Sequence, residues 1–192
     1  MALGQIKEEK KLYFPLLQKL KEIFDSLYVA ESYVYTSDGL IRAPTTGITN
    51  PHLEITANGK FSELLHSQFD YYLFQTLKAE NLHPDIMGYV DKKDETTRKF
   101  ITVEVKKNPL KIRDILQAKL YESIFNAGFS FAISPKGIAI EKLKVILKHE
   151  KDLRGNVLIG QCSENGEVIR LYPEMSEYVP KELRRLCVSR TV

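Results

Sequence analysis

HPDIMGYVDKKDETTRKFITVEVKKNP, residues 83–109, decides the fold. PDIMGYV (84–90) and FITVEVK (100–106) are short apolar runs, each rich in β-branched or aromatic residues. The charged stretch DKKDETTRK (91–99) between them reads as a hairpin connection. Strand side chains alternate between two faces, so Ile101, Val103 and Val105 share one face. Phe100, Thr102, Glu104 and Lys106 share the other. A charged pair on a strand otherwise fit for burial costs several kcal/mol unless paired or bound to a metal. Asp85 opens the first strand just after Pro84, so pairing the two strands brings Asp85 to the open end near Glu104. Two carboxylates and an ammonium then meet at one point.

That grouping has a chemical use. Carboxylates are hard oxygen ligands for Mg²⁺, which needs only one or two of them besides water and a substrate phosphate. A metal there polarises a phosphoryl oxygen and lowers the pKa of water, while a lysine stabilises developing negative charge. The chemistry these residues suit is phosphodiester hydrolysis. The D/E-x-K triplet alone is not specific: it starts at Glu8, Glu9, Asp91 and Glu104. The first two lie in a charged N-terminal run and the third in the hairpin connection, so only Glu104 sits inside an apolar strand.

Around this centre the chain reads as alternating helices and strands. Leu12, Leu16, Leu20, Ile23 and Leu27 recur at helical spacing, and Pro15 places the start of that helix near itself, since proline suits only a first turn. A strand is expected over 28–36, then a loop over 37–60 with one short strand at 52–56. A helix is expected over 61–79, with Phe61, Leu65, Phe69, Tyr72 and Leu73 on one side. After the central hairpin come a helix over 111–127, striped by Ile112, Leu116, Leu120 and Ile124, and a strand over 129–134. A helix over 139–150, a hairpin turned at Asn165-Gly166 and a last short helix near 180–187 complete the chain. This order implies an α/β fold with a mixed sheet flanked by helices, an N-terminal helix–strand addition and a C-terminal hairpin.

HPDIMGYV (83–90), ITVEVKK (101–107), QAKLY (117–121) and FAISPKG (131–137) together resemble the PD-(D/E)xK nuclease superfamily, which includes restriction endonucleases and Holliday junction resolvases. The likeness covers about residues 61–137 of one nuclease-like domain and leaves 1–60 and 138–192 unassigned. It implies a restriction endonuclease-like fold and Mg²⁺-dependent (or Mn²⁺-dependent) cleavage of DNA in recombination, repair or mobile-element processing. Asp85, Glu104 and the carbonyl of Val105 would hold the metal, Lys106 would assist the attacking water, and Gln117 would stand near the reaction. Tyr121 and Arg113 share the Gln117 row, which reads equally as the polar flank of an amphipathic helix. Glu63 is the candidate for a further acidic ligand, with a solvated glutamate as its alternative. His83, the basic residues Lys92, Lys93, Arg98 and Lys99, and the group Lys181, Arg184 and Arg185 read first as solvated surface. Phe69, Tyr71, Tyr72 and Phe74 read as core or interface.

The rest of the sequence bounds these readings. At 192 residues, 43% apolar and 28% charged, the chain has the composition of a globular domain. The net charge of +3 is compatible with nucleic acid without requiring it. Cys162 and Cys187 have no metal-ligand spacing, no apolar run approaches a membrane span, and the charged N-terminus does not read as a signal peptide. The expectation is therefore an intracellular, cytoplasmic protein that acts on DNA, assembles as a homodimer as many resembling nucleases do, and works with protein partners in a DNA-processing complex. The rival readings are a non-catalytic nucleic-acid-binding or dimerisation module and an accessory subunit of such a complex.

Overall fold

The computed structural model describes residues 3–25, 29–36, 39–46, 51–91 and 98–187, with only the backbone of 3–8, 29–36, 39–46 and 182. In chain order the elements are α1 (Leu3–Asp25), β1 (Val29–Thr36), β2 (Gly39–Thr46), β3 (His52–Ile55), α2 (Glu63–His66) and α3 (Tyr71–Ala79). There follow β4 (Ile86–Asp91), β5 (Arg98–Val105), α4 (Ile112–Phe125), β6 (Phe129–Ser134), α5 (Ile140–Lys148), α6 (Glu150–Leu153), β7 (Val157–Cys162) and β8 (Ile169–Leu171). Two 3-10 turns, Pro173–Met175 and Lys181–Leu186, follow β8. The fold is α/β, with a mixed sheet of six strands in the order β3-β4-β5-β6-β7-β8. The central pairs β5–β6 and β6–β7 are parallel; β3–β4, β4–β5 and β7–β8 are antiparallel.

The period-2 pattern of β5 explains the layers. Ile101, Val103 and Val105 are fully buried in a core shared with Leu16, Leu20 and Phe24 of α1. Phe24 packs on Phe129 and Phe131 of β6, with ring centroids 5.2 and 6.2 Å apart. Burying a phenylalanine of this kind contributes about 1.5–3 kcal/mol. On the opposite face Thr102 donates to Ser130 (3.0 Å), and Ser130 donates to the Ala118 carbonyl of α4 (3.1 Å). Helices thus cover both faces of the central strands, and the main core runs from Leu12 to Leu183. A second cluster joins Met87 and Tyr89 of β4 to Leu65, Phe74, Tyr121 and Phe125 of the covering helices.

Several elements depart from the sequence reading. α1 begins at Leu3, not near Pro15, which lies inside it. An interior proline costs about 3 kcal/mol, but Leu12, Tyr13, Leu16 and Leu17 around it are all buried, which offsets the loss. The expected loop contains β2, which pairs with β1 as a ribbon separate from the main sheet. The helix over 61–79 is two helices, because the Asp70 carboxylate accepts from the Tyr72 amide (2.7 Å) and starts α3 afresh. That break leaves Tyr72 77% exposed instead of on the apolar side. In α4 the buried residues are Asp114, Ile115, Ala118, Tyr121 and Phe125, while Leu116 and Leu120 of the expected stripe are exposed. The strands expected over 52–56, 84–90, 100–106 and 129–134 and the hairpin turned at Asn165-Gly166 are present within a residue or two.

The pairing of β3 with β4 depends on Gly88, opposite Leu53. A Cβ at this position would lie 1.8 Å from the His52 carbonyl oxygen and 2.7 Å from the Leu53 Cα. Both are backbone atoms and cannot swing away. Gly88→Ala is therefore expected to destabilise the protein by about 3 kcal/mol or more, or to unseat β3. Urea unfolding checks this; an unchanged midpoint would contradict it.

Candidate active site

Pairing β4 with β5 sets Ile86 opposite Val103, so Asp85 lies just beyond the end of β4. Its backbone is pinned on both sides. The Asp85 amide donates to the Val103 carbonyl (2.9 Å), and the Asp85 carbonyl accepts from the Thr56 and Ala57 amides (2.9 and 3.1 Å). Its carboxylate is pinned as well. Oδ2 accepts from the Val105 amide (2.7 Å) and Oδ1 from the Tyr13 hydroxyl (2.9 Å). Asp85 and the Glu104–Lys106 strand end thus meet, and Lys106 forms an ion pair with Oε1 of Glu104. Both partners are enclosed, Glu104 2% and Lys106 12% exposed. The second oxygen of Glu104, Oε2, is buried and has no hydrogen-bond partner.

The electrostatics follow from burial. Enclosure pushes the Glu104 carboxyl up to about 8, helped by the Asp85 charge and opposed by Lys106. Burial likewise raises Asp85, against the pull of Lys106, the Val105 amide, Tyr13 and His83. Burial disfavours the charge on Lys106, but Glu104, Asp85 and Glu9 more than offset it, so its pKa is raised. Without a bound cation, the carboxyls of the corner hold their protons to higher pH than free carboxyls do.

Glu9, which the sequence reading left in a charged run, belongs to this corner. It is 6% exposed on α1, its Oε1 accepts from the Lys107 amide (3.4 Å), and burial raises its pKa against the charge of Lys106. The signal was present in the sequence. Glu9, Leu12, Tyr13, Leu16 and Leu20 fall on one helical face, so a helix running through Pro15 carries Glu9 inward. Tyr13, also missed, comes from the same face.

The helix α4 contributes the predicted row in part. Gln117 donates to the Tyr121 hydroxyl (2.9 Å). Burial lifts Tyr121 to about 12, with Glu104 and Asp85 adding to the rise and the His83 amide opposing it. Gln117 is thereby joined to the corner through Tyr121. Arg113, by contrast, is 71% exposed and sits 3.6 Å from Asp114. Glu63 is exposed at the first residue of α2, and its side chain makes no hydrogen bond or ion pair among the described residues; the further acidic group of the corner is Glu9. His83 is half-buried with its Nδ1 enclosed and unpartnered, so it is not plain surface. Arg98 is taken up by Asp91 (2.7 and 2.9 Å) and stacks on Tyr89, and the Lys99 ammonium lies 5.8 Å from the Phe129 ring. Lys92 and Lys93 lie outside the described residues. Arg185 donates to the Ile23 carbonyl (3.1 Å) and Arg184 to that of Val179 (3.3 Å), so both serve the C-terminal packing. Phe69 and Phe74 pack on Phe125, whereas Tyr71 and Tyr72 are exposed.

The donor set suits a hard divalent cation. An enclosed carboxylate oxygen without a partner and a second carboxylate held rigidly beside it are hard oxygen donors, which fit Mg²⁺ or Mn²⁺ and not a soft metal. Among the described residues no group of three or more His, Cys, Asp or Glu is placed to hold a metal by itself. A cation here would rely on two carboxylates and on oxygens from the backbone, water and substrate, which is the usual habit of Mg²⁺.

Together the fold and this corner define an α/β protein with a mixed sheet and a buried carboxylate–lysine centre at the ends of two central strands. No family model, curated protein or solved structure matches the chain. Among the described residues, no helix is long and apolar enough to cross a membrane.

Proposed function

We propose that the protein is a metal-dependent nuclease that hydrolyses DNA phosphodiester bonds, on the restriction endonuclease-like PD-(D/E)xK plan. The observation that carries this reading is the unpartnered Glu104 Oε2, enclosed in the same corner as Asp85 and Lys106. Asp85, Glu104 and the Val105 carbonyl would hold Mg²⁺. The metal, when bound, polarises a phosphoryl oxygen and makes water acidic enough to attack.

The chain's own groups prepare the corner. The Val105 amide and the Tyr13 hydroxyl fix both oxygens of Asp85, so its carboxylate is oriented before any substrate arrives. Lys106, drawn in by Glu104, places a positive charge where the scissile phosphate gains negative charge. Glu9 adds a carboxylate beside Lys106 and holds the Lys107 amide. Gln117 and Tyr121 form a neutral polar wall that can donate to phosphate oxygens.

The test is cleavage of a panel of single-stranded, duplex, flap and four-way DNAs with Mg²⁺, Mn²⁺ or Ca²⁺. Cleavage is expected with Mg²⁺ and Mn²⁺, and Glu104→Ala should lower its rate by at least about 10³-fold. Ca²⁺ should support binding with little cutting, because its geometry is looser. Cutting by Glu104→Ala at the wild-type rate would overturn the assignment. DNA binding with no cleavage under any metal would favour the non-catalytic module.

A further inference from the structure

Beside the corner lies a cleft of about 290 Å³, at the lower end of the size range of small-molecule sites. Its floor is aromatic. Phe61 and His66 pack on Phe74 with ring centroids 4.5 Å apart in each case, and Phe61 and His66 meet edge to face at 6.0 Å. Phe74 is fully buried, while Phe61 and His66 are half-buried and keep ring surface toward the cleft. Its rim is cationic and polar, with Lys60, Lys78 and Gln75 exposed. No carboxylate lines it, and neither lysine has an ion-pair partner among the described residues. Ring surface beneath two unpaired cations suits one ligand chemistry, a flat heteroaromatic group that carries a phosphate.

The cleft is joined to the Asp85 strand through the turn at residues 56–59. Gly59 lines it, and a Cβ at Gly59 would sit 3.3 Å from His83 Cδ2, two residues before Asp85. The turn that carries Gly59 is tied to the Asp85 strand by the Thr56 and Ala57 amides, and the Thr56 hydroxyl donates to the Pro84 carbonyl (2.7 Å). Ligand in the cleft and phosphate in the corner would therefore belong to one strand.

We infer that this cleft receives one unpaired nucleotide of the DNA strand whose phosphate occupies the Asp85–Glu104–Lys106 corner, its base on Phe61 and His66 and its phosphate at Lys60 and Lys78. The inference rests on the nuclease reading for its neighbouring site and narrows the substrate to single-stranded DNA or DNA with an unpaired segment at the cut. A base stacked inside a duplex cannot reach an aromatic floor, whereas an unstacked base can, and such stacking tolerates any sequence.

Binding is measured without divalent metal, so that nothing is cut, using a single-stranded oligonucleotide with one fluorescent purine analogue, a blunt duplex of the same sequence, and deoxyadenosine monophosphate. The protein is full-length wild type, Lys60→Ala/Lys78→Ala, and His66→Ala. The lysines are exposed, so the double variant should melt as wild type does. It should bind the single strand about tenfold more weakly, with a shallower salt dependence, and the duplex less than about twofold more weakly. His66→Ala should abolish the quenching of the purine analogue. Wild-type affinity of the double variant for the single strand, or an equal loss on duplex, would overturn the subsite. So would mononucleotide binding as tight as that of the strand, which would make the cleft a site for free nucleotides. Cleavage of flaps and single strands is then followed in Mg²⁺. Lysine-dependent strand binding with no cutting by wild type defeats the nuclease reading and leaves the subsite standing. Cutting by wild type with unchanged kcat/KM in the double variant defeats the subsite alone.

Discussion

Lys106→Met is expected to lower metal-dependent DNA cleavage by about 10²–10⁴-fold and to destabilise the protein in a pH-dependent way. The cause lies in the enclosure of its partner. Glu104 is 2% exposed, and Lys106 is its ion-pair partner. Stranding one member of a buried pair costs about 3–5 kcal/mol when it stays charged. Glu104 has a way out, because its pKa already stands at about 8 and rises further once the ammonium is gone. At pH 5 both proteins hold the Glu104 proton, so the loss of stability should be small there and grow only above about 8, for example at pH 9, where wild type releases the proton and the variant keeps it. Lys106→Met/Glu104→Gln removes both charges and should recover much of the stability and none of the activity. Urea unfolding at the two pH values, beside cleavage assays, gives the answer. A double variant no more stable than Lys106→Met, or Lys106→Met cutting at the wild-type rate, would contradict this account.

The metal-free protein should lose stability as pH rises from about 4.5 to about 8. An unfolded chain releases the Glu104 proton near 4.5, whereas the folded protein holds it to about 8. Between those values the native state binds more protons, so stability falls by about 1.4 kcal/mol per pH unit for each such group. Asp85 and Glu9 are raised too and act with the same sign. Lys106, also raised, stabilises the fold throughout this window; its contribution fades only above 10.5, as pH passes its folded value. A divalent cation competes with the retained protons, so Mg²⁺ should stabilise more at pH 8 than at pH 5. At 100 times Kd the gain is about 2.7 kcal/mol, a rise in Tm of about 5–10 °C for a chain of this length. Glu104→Gln should flatten the pH dependence and remove most of the metal response. Equal metal responses in the two proteins would mean that Asp85 and Glu104 form no shared site.

The central sheet could be read in the sequence because its strands carry their own evidence. Apolar alternation in 100–106 and the charged break after 90 left one economical pairing, and that pairing alone brings Asp85 to Glu104. What could not be read depended on tertiary contacts that outweigh local preference. Pro15 argues for a helix start, yet burial along α1 carries the helix through it, and Glu9 and Tyr13 reach the corner only because of that. Pro44 and Gly39 argue for a loop, yet a two-stranded ribbon has an outer edge where a proline costs no ladder bond. Leu116 and Leu120 look like a core stripe until Tyr121 and Phe125 take the inward face. Glu63 is the acidic candidate that the resemblance points to, on the helix before the Pro84-Asp85 strand, whereas a helix start near Pro15 leaves Glu9 outside any element.

The hold of α1 on the corner also bears on how a newly made chain acquires this site. Tyr13 and Asp85 are 72 residues apart, Glu9 and Lys107 are 98 apart, and the Lys106 amide is anchored on the Ile133 carbonyl of β6. Contacts of such long range form late, because loop-closure entropy must be overcome before they contribute. A ribosome that has released α1 and the β4–β5 hairpin has therefore not yet made the site. Its first segment must wait for residues more than a hundred positions downstream, so the corner closes only once β6 has joined the sheet.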